Sequence, residues 1–341
     1  MTGREIRLAA RPTGWPSAET FATATVDVPP PAEGQVLVRN LFMSVDPYMR
    51  ARMNDVKSYV PPFQVGQPLE GGAIGEVIES RAPDLKAGDI VQSMRGWRDY
   101  FVAPATDLRA VDRSITPLST YLGVLGMPGF TAWVGLKLVE LKPTDRVFIS
   151  AAAGAVGSIA GQLAKLRGNF VIGSAGSAEK VKLITSELGF DAAFSYRDGS
   201  APGAAPLTAS ALRQRLTEAA PDGIDVYFDN VGGDQLEAAI ACMRNHGRIA
   251  ACGSISRYNE EGAQAGPRNM YLVVTRRLTI RGFIVLDWVK ERKAFLSDVA
   301  PLVASGQLKA RETVIEGLEN APHAFIEMMR GGNTGKMVVK I

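Results

Sequence analysis

The pattern of apolar and polar positions changes character near residue 122. Before it, short runs carry period-two alternation or Gly/Pro breaks: 35–41 (QVLVRNL) after the loop 29–34 (PPPAEG), 69–79 (LEGGAIGEVIE), 86–91 (KAGDIV) and 97–102 (WRDYFV). Several short strands between turn residues predict a compact β-rich domain. Beyond residue 122, strand-like runs at 146–150, 170–174, 192–195, 224–228, 247–252 and 278–284 alternate with helical patterns at 155–167, 177–188, 209–219 and 233–243. Six strands with helical crossovers predict an α/β domain with a doubly wound parallel sheet. Residues 291–304 read as helix. Ala321, Ala324, Phe325, Met328 and Met329 share a helical core face, and 335–341 (GKMVVKI) alternates as a strand. A strand fits poorly among helical layers, so the C-terminus is expected to return to the β-rich domain. The expected division is 1–122 with 290–341, around an inserted 123–289. The segment 199–210 (GSAPGAAPLTAS) reads as a small-residue surface loop, remote from any chemistry.

Composition mainly excludes. Lys+Arg 38 against Asp+Glu 35 leaves +3 on 341 residues, too balanced to suggest nucleic acid or an acidic surface. Two cysteines, Cys242 and Cys252, can form neither a disulfide framework nor a zinc site of several thiolates, which fits a cytoplasmic protein. The N-terminus MTGREI carries charge where a signal peptide needs an apolar core, so no export is expected. Two uncharged stretches, 114–136 and 147–164, are long enough to check as membrane spans. The first is broken by Pro117, Gly123, Gly126, Pro128 and Gly129, and the second passes from strand to helix, so both read as buried elements.

The stretch 146–158 (RVFISAAAGAVGS) reads as strand, tight turn and helix start. It fits the dinucleotide fingerprint with Ala152 in the first glycine slot, then Gly154 and Gly157. Gly154 would let the backbone approach a diphosphate, which would sit on the helix N-terminus, and Gly157 would let the helix pack closely. The same residues also suit any crowded strand–helix turn. An acid for the adenosine ribose belongs about 20 residues further on, where 173–177 (GSAGS) holds no carboxylate and Lys180 follows in the first helical turn. A cation there opposes the helix dipole unless an anion is near, which favours NADP(H) with its 2′-phosphate over NAD(H). The alternative is a solvated helix lysine. At the ends of the later strands lie Asn230, cofactor ligand or strand-end cap, the loop 252–258 (CGSISRY) and 283–285 (FIV). Tyr258 lies on that loop, where a nicotinamide and its substrate would meet; a packed aromatic is the duller alternative. His246 reads as a turn residue and His323 as exposed, with no carboxylate or thiol beside either in sequence, so no metal site or catalytic triad is expected. Cys242 reads as helix core and Cys252 as a pocket wall.

These residues carry a resemblance. The turn KAGDIV (86–91), the pair Thr131-Ala132 and the nucleotide turn 152–157 are similar to hallmarks of the medium-chain dehydrogenase/reductases. The segments MSVDPYMR (43–50), AAAGAVGS, YFDNVGG, CGSIS-x-YN and the terminal GN-x-GK-x-V resemble the zinc-free double-bond reductases of that family, over nearly the whole chain. Zinc relatives carry a Cys near 44–46 and a His-Glu pair at 70–72, both absent here. The resemblance implies a Rossmann domain, a GroES-like substrate domain and a homodimer. It places Ala153, Gly154, Ala155, Val156 and Gly157 at the diphosphate, Lys180 at the 2′-phosphate and Tyr196 near the adenosine. Asn230, Cys252, Gly253, Ser254, Ile255, Tyr258, Phe283, Ile284, Val285 and Asn333 complete the cofactor cleft, and Tyr48 and Tyr258 line the substrate pocket. The loop 259–270 (NEEGAQAGPRNM) departs from the family, so substrate preference does not transfer.

The expected function is hydride transfer from NADPH to the β-carbon of an α,β-unsaturated aldehyde or ketone. Tyr258 would donate to the enolate oxygen, and Tyr48 would shape the pocket. A quinone reductase, a secondary-alcohol dehydrogenase on the same scaffold, and an NADP-binding structural protein are the alternatives.

Overall fold

The computed structural model describes residues 1–115, 117–199, 204–262 and 265–341. Residue 116 of the first uncharged stretch, 200–203 of the small-residue loop and 263–264 of the 259–270 loop lie outside the described residues. The chain forms two compact units, Met1–Gly123 with Glu312–Ile341, and Val124–Arg311.

The first unit is β-rich. Its seven-stranded sheet runs Glu312–Glu316, Lys336–Lys340, Gln35–Ser44, Ala73–Ser80, Ile90–Ser93 and Arg109–Ala110, with Tyr100–Pro104 also paired to Gln35–Ser44. The C-terminal strand lies antiparallel to Gln35–Ser44, with Val338 opposite Ser44. A separate antiparallel pair, Thr2–Leu8 with Phe21–Asp27, stands beside this sheet. Trp97 anchors the core: it is fully buried, stacks on Phe21 at 5.8 Å and meets the edge of Phe325 at 6.3 Å. It holds φ +62°, a conformation a bulky side chain adopts only when packing enforces it.

The second unit is the doubly wound sheet. All its strands are parallel, in the order Ala192–Ser195, Phe170–Ala175, Arg146–Ile149, Ile224–Asp229, Met243–Ala251, Thr279–Gly282. In chain order within the sheet that is 3-2-1-4-5-6, the dinucleotide-fold order, whose reversal point lies between the first and fourth strands. The helices Ala155–Leu166, Ala178–Ser186, Ala209–Ala219 and Gly233–Cys242 form the crossovers.

Three expectations need correction. Residues 290–311 belong to this second unit, so the β-rich unit resumes at Glu312 rather than at 290. The physical reason is the helix Arg292–Ala304, whose Phe295 packs on Phe130 and Trp133 while Asp298 accepts the Trp133 indole N–H at 3.0 Å. The strand expected at 278–284 covers only Thr279–Gly282, and 283–284 continue as extended chain before a short helical turn from Val285. The helix Met127–Leu138 was not foreseen, because it is buried almost all round and so has no polar face to give a period. Trp97→Ala should cost the first unit about 3–5 kcal/mol, the usual scale for removing a buried aromatic; urea unfolding followed by tryptophan fluorescence measures it.

Candidate functional site

The site in the second unit is built where its parallel strands end. After Arg146–Ile149 the chain turns through Ser150, Ala151, Ala152 and Ala153 to Gly154, the N-cap of helix Ala155–Leu166. Ala151 takes φ +50°, and the Ala152 N–H donates to Ser174 O at 2.9 Å, tying the turn to the second strand. A Cβ on Gly157 would lie 2.3 Å from Ala151 O, so only glycine lets the helix sit this close to the turn. Gly154 differs. Its backbone is ordinary, and an added Cβ would meet only Ala151, at 3.1 Å. Its missing side chain therefore leaves open space in front of a helix start that has no side-chain cap.

At the second strand's end, Ser177 caps helix Ala178–Ser186 by accepting the Lys180 N–H at 3.3 Å. The Tyr196 ring lies across Gly176, where a Cβ would stand 2.8 Å from the tyrosine oxygen, and the Arg197 guanidinium sits over that ring at 5.4 Å. Burial lowers the Lys180 ammonium from its ordinary value, and the charge of Arg197 lowers it further. Arg197 escaped the sequence reading. So did the role of the small-residue loop, whose described part is not remote. Leu207 N–H donates to Tyr196 O at 2.8 Å, and Arg197 donates to Ala204 O at 2.6 Å. The loop flanks this corner because it must satisfy the polar groups that follow strand Ala192–Ser195.

The strand Ile224–Asp229 ends on a buried polar network. Asp229 Oδ1 accepts the Tyr227 hydroxyl (2.7 Å) and the N–H groups of Val231 (3.0 Å) and Gly232 (2.8 Å). Burial raises the Asp229 carboxyl, and those donors hold it down. Ser150 Oγ donates to the Tyr227 phenol oxygen and accepts the Asn230 N–H, both at 3.0 Å, and Asn230 Nδ2 donates to Ser150 O at 2.8 Å. Asn230 thus joins two strand ends, which fits its reading as a strand-end cap. Asp229, Tyr227 and Ser150 were missed; the one signal was a carboxylate directly after the apolar run of YFDNVGG.

The loop 252–258 hangs on the same residue, since Asp229 O accepts the N–H groups of Cys252 and Gly253 at 2.9 and 3.0 Å. Gly232 and Gly233 hold φ +70° and +54°, and a Cβ on Gly232 would lie 2.4 Å from Ser254 Oγ. Tyr258, half-buried, accepts the Ser254 N–H at 3.2 Å, which leaves its own proton available to another acceptor. Burial raises its pKa. Burial and the Asp229 charge push the Cys252 thiol up to about 12, which disfavours the thiolate. The Phe283 ring lies against Gly135, and Ile284 and Val285 follow, half-buried.

Ala153 to Gly157, Lys180, Tyr196, Asn230, Cys252 to Ile255, Tyr258 and Phe283 to Val285 therefore all stand at one end of one sheet. Tyr48 and Asn333 belong to the first unit. Asn333 Nδ2 donates to Gly335 O at 2.7 Å. Tyr48 opens the short helix Tyr48–Arg52, and its hydroxyl is buried without a hydrogen-bond partner.

Two family models match the chain, one described as the N-terminal domain of oxidoreductase over residues 4–111 and one as zinc-binding dehydrogenase over 155–301. The chain is 40% identical over 347 residues to the NADP(+)-dependent 2-alkenal reductase of Nicotiana tabacum, covering 100% of this chain and 98% of that protein. It belongs to the zinc-independent double-bond reductases of the medium-chain dehydrogenase/reductase family. A second member, the NADPH-dependent curcumin reductase of Escherichia coli (strain K12), is 38% identical over 98% of this chain and 95% of its own. The crystal structure of CurA from Vibrio vulnificus in complex with NADPH superposes with TM-score 0.90 at 38% identity, covering 99% of this chain and 98% of that one. Among the described residues no group of three or more His, Cys, Asp or Glu could hold a metal. The carboxylates that remain where zinc relatives carry ligands are engaged, Asp46 by Lys336 and Glu70 by Arg52.

Gly157→Ala should destabilise this double-bond reductase by about 1–3 kcal/mol, because the helix and turn must separate. Gly154→Ala should cost clearly less. Paired urea titrations compare them.

Proposed function

We propose that the protein is an NADPH-dependent reductase of the activated C=C bond of α,β-unsaturated aldehydes and ketones. The observation that carries this reading is the pairing of a bare-backbone cradle at Gly154 with a cationic corner at Lys180, in a chain 40% identical to an NADP(+)-dependent 2-alkenal reductase. The cradle fits a diphosphate. The corner fits a phosphate on the ribose: Arg197 adds a second positive charge near Lys180, and 173–177 offers no carboxylate to a ribose diol. In this reading Ala153 to Gly157 hold the diphosphate, Lys180 and Tyr196 the 2′-phosphate end, and the 252–255 and 283–285 segments line the cleft. The second unit is then the dinucleotide-binding domain and the first the substrate domain.

A bound nicotinamide supplies the hydride to the β-carbon. The residues of the chain manage the charge this leaves on the carbonyl oxygen. Tyr258 donates to that oxygen; its hydroxyl is polarised by the Ser254 N–H and kept protonated by burial. Tyr48 offers a buried hydroxyl to substrate binding.

The protein is further proposed to work in the cytoplasm as a homodimer. Both cysteines are free, and among the described residues no helix is long and apolar enough to cross a membrane. The edge strand Thr279–Gly282 is exposed along its length, and Tyr271, Val274, Leu286 and Val289 beside it in sequence are all at least 50% exposed. Such an edge is covered most simply by a second copy across a two-fold axis.

NADPH oxidation with 2-nonenal should exceed that with a quinone panel. Tyr258→Phe should lower kcat by about 10²–10³-fold, the value of one oxyanion donor. Since the Tyr258 pKa is raised above the ordinary 10.0, kcat should show no tyrosine-linked decline below pH 10. Fluorescence titration of Lys180→Ala should show NADPH binding about ten- to hundred-fold weaker, with NADH binding unchanged. Full activity of Tyr258→Phe would remove it from the mechanism, and an equal loss of both nucleotides would remove Lys180 from the phosphate. Val274→Glu with Val289→Glu should turn a dimer into a monomer in size-exclusion chromatography with light scattering.

A further inference from the structure

The segment MSVDPYMR is almost wholly consumed by anchoring contacts. Met43 Sδ accepts the Trp97 N–H, and Ser44 Oγ donates to Asp46 Oδ2. Asp46 O accepts the Met49 N–H, starting the short helix. On the far side of Tyr48, the buried Arg50 donates to Gly14 O (2.7 Å), Pro12 O (3.2 Å) and Asn54 Oδ1 (2.8 Å). Among the polar side chains of this segment, the Tyr48 hydroxyl is the one that is buried without a partner. A buried hydroxyl in that state costs free energy, and it persists only where the surroundings hold it in place.

What holds it comes from the other end of the chain. Lys336, 3% exposed, opens the C-terminal strand and reaches the segment with its ammonium donating to Val45 O at 2.6 Å and Met337 O at 2.8 Å and paired with Asp46 Oδ1 at 3.1 Å. Both Asp46 oxygens are thereby fixed, two residues before Tyr48. Lys336 also stands in register opposite Glu312, whose carboxyl is raised by burial and held down by the Ser119 hydroxyl and the lysine charge. Without the ammonium, Asp46 would be a buried, uncompensated charge beside Tyr48.

We propose that Lys336, through its ion pair with Asp46, is the positioning residue for Tyr48, and that the pair holds the tyrosine hydroxyl ready to hydrogen-bond the bound substrate. This rests on the enone-reductase reading, from which its test can be separated. Lys336 touches neither substrate nor cofactor; it acts by fixing the turn 44–48.

The test is a double-mutant cycle on enone reduction, using Lys336→Met, Tyr48→Phe and the two combined, with NADPH affinity and urea stability measured alongside. Lys336→Met should lower kcat/KM for 2-nonenal about ten-fold, leave the NADPH Kd unchanged, and cause no further loss in the Tyr48→Phe background. If Lys336→Met fails to fold, Lys336→Met with Asp46→Asn removes both members of the ion pair and should fold, with stability partly recovered but kcat/KM still low. Losses that simply add, recovery of kcat/KM together with stability, or a fully active Tyr48→Phe would each overturn the positioning role. Failure of the wild type to reduce any enone would instead overturn the functional reading, and this inference with it.

Discussion

One carboxylate, 2% exposed, sets the geometry of the dinucleotide-type site. Taking Asp229 out of water is unfavourable unless its lone pairs are met. Here one oxygen receives a phenol and two backbone N–H groups, while the main-chain oxygen of the same residue receives two more N–H groups from the next strand's loop. A single position therefore pins two consecutive strand ends. Ser150 extends the network to the first strand through Tyr227 and Asn230. Buried networks of this kind are rigid when complete and costly when one member is lost. The left-handed glycines at 232 and 233 belong to the same constraint, because a side chain there would lift the 252–258 loop and Tyr258 with it.

The second constraint is electrostatic. Lys180 and Arg197 sit close enough for the arginine to oppose the lysine's charge, in a corner also roofed by Tyr196. Lys180 lies in a first helical turn, where the dipole disfavours a cation. Both effects would change sign for a dianion placed in this corner. The 204–207 segment strengthens the arrangement by fixing Arg197 and the Tyr196 backbone.

The sheet of the second unit was readable because each strand is a short apolar run between a helix end and a glycine- or serine-rich turn, and each crossover helix has one polar face. The helix Met127–Leu138 lacked that face and was silent. The boundary expected at 290 failed because Arg292–Ala304 looks like any amphipathic helix; what it packs against depends on Phe130 and Trp133, far away in sequence. At the site, Gly157 was readable as a packing requirement and Lys180 as a charge out of place. Asp229 was not, since a strand-end aspartate usually caps a turn in water, and its burial depends on neighbours from three other segments. Arg197 and the small-residue loop were passed over because their composition suggests only surface. The loop's contacts are made by backbone, which leaves no mark on composition.

Three tyrosines show why the hydrogen-bond inventory, rather than acidity, separates structure from chemistry. Burial raises the pKa of Tyr48, Tyr227 and Tyr258 alike. Yet Tyr227 is engaged on both sides, donating to Asp229 and accepting from the Ser150 hydroxyl, and has no proton left for a ligand. Tyr258 uses only its acceptor side, so its proton remains to be given. Tyr48 uses neither side although its oxygen is buried. A shifted pKa reports that water has been removed; an unspent donor reports what the space was cleared for.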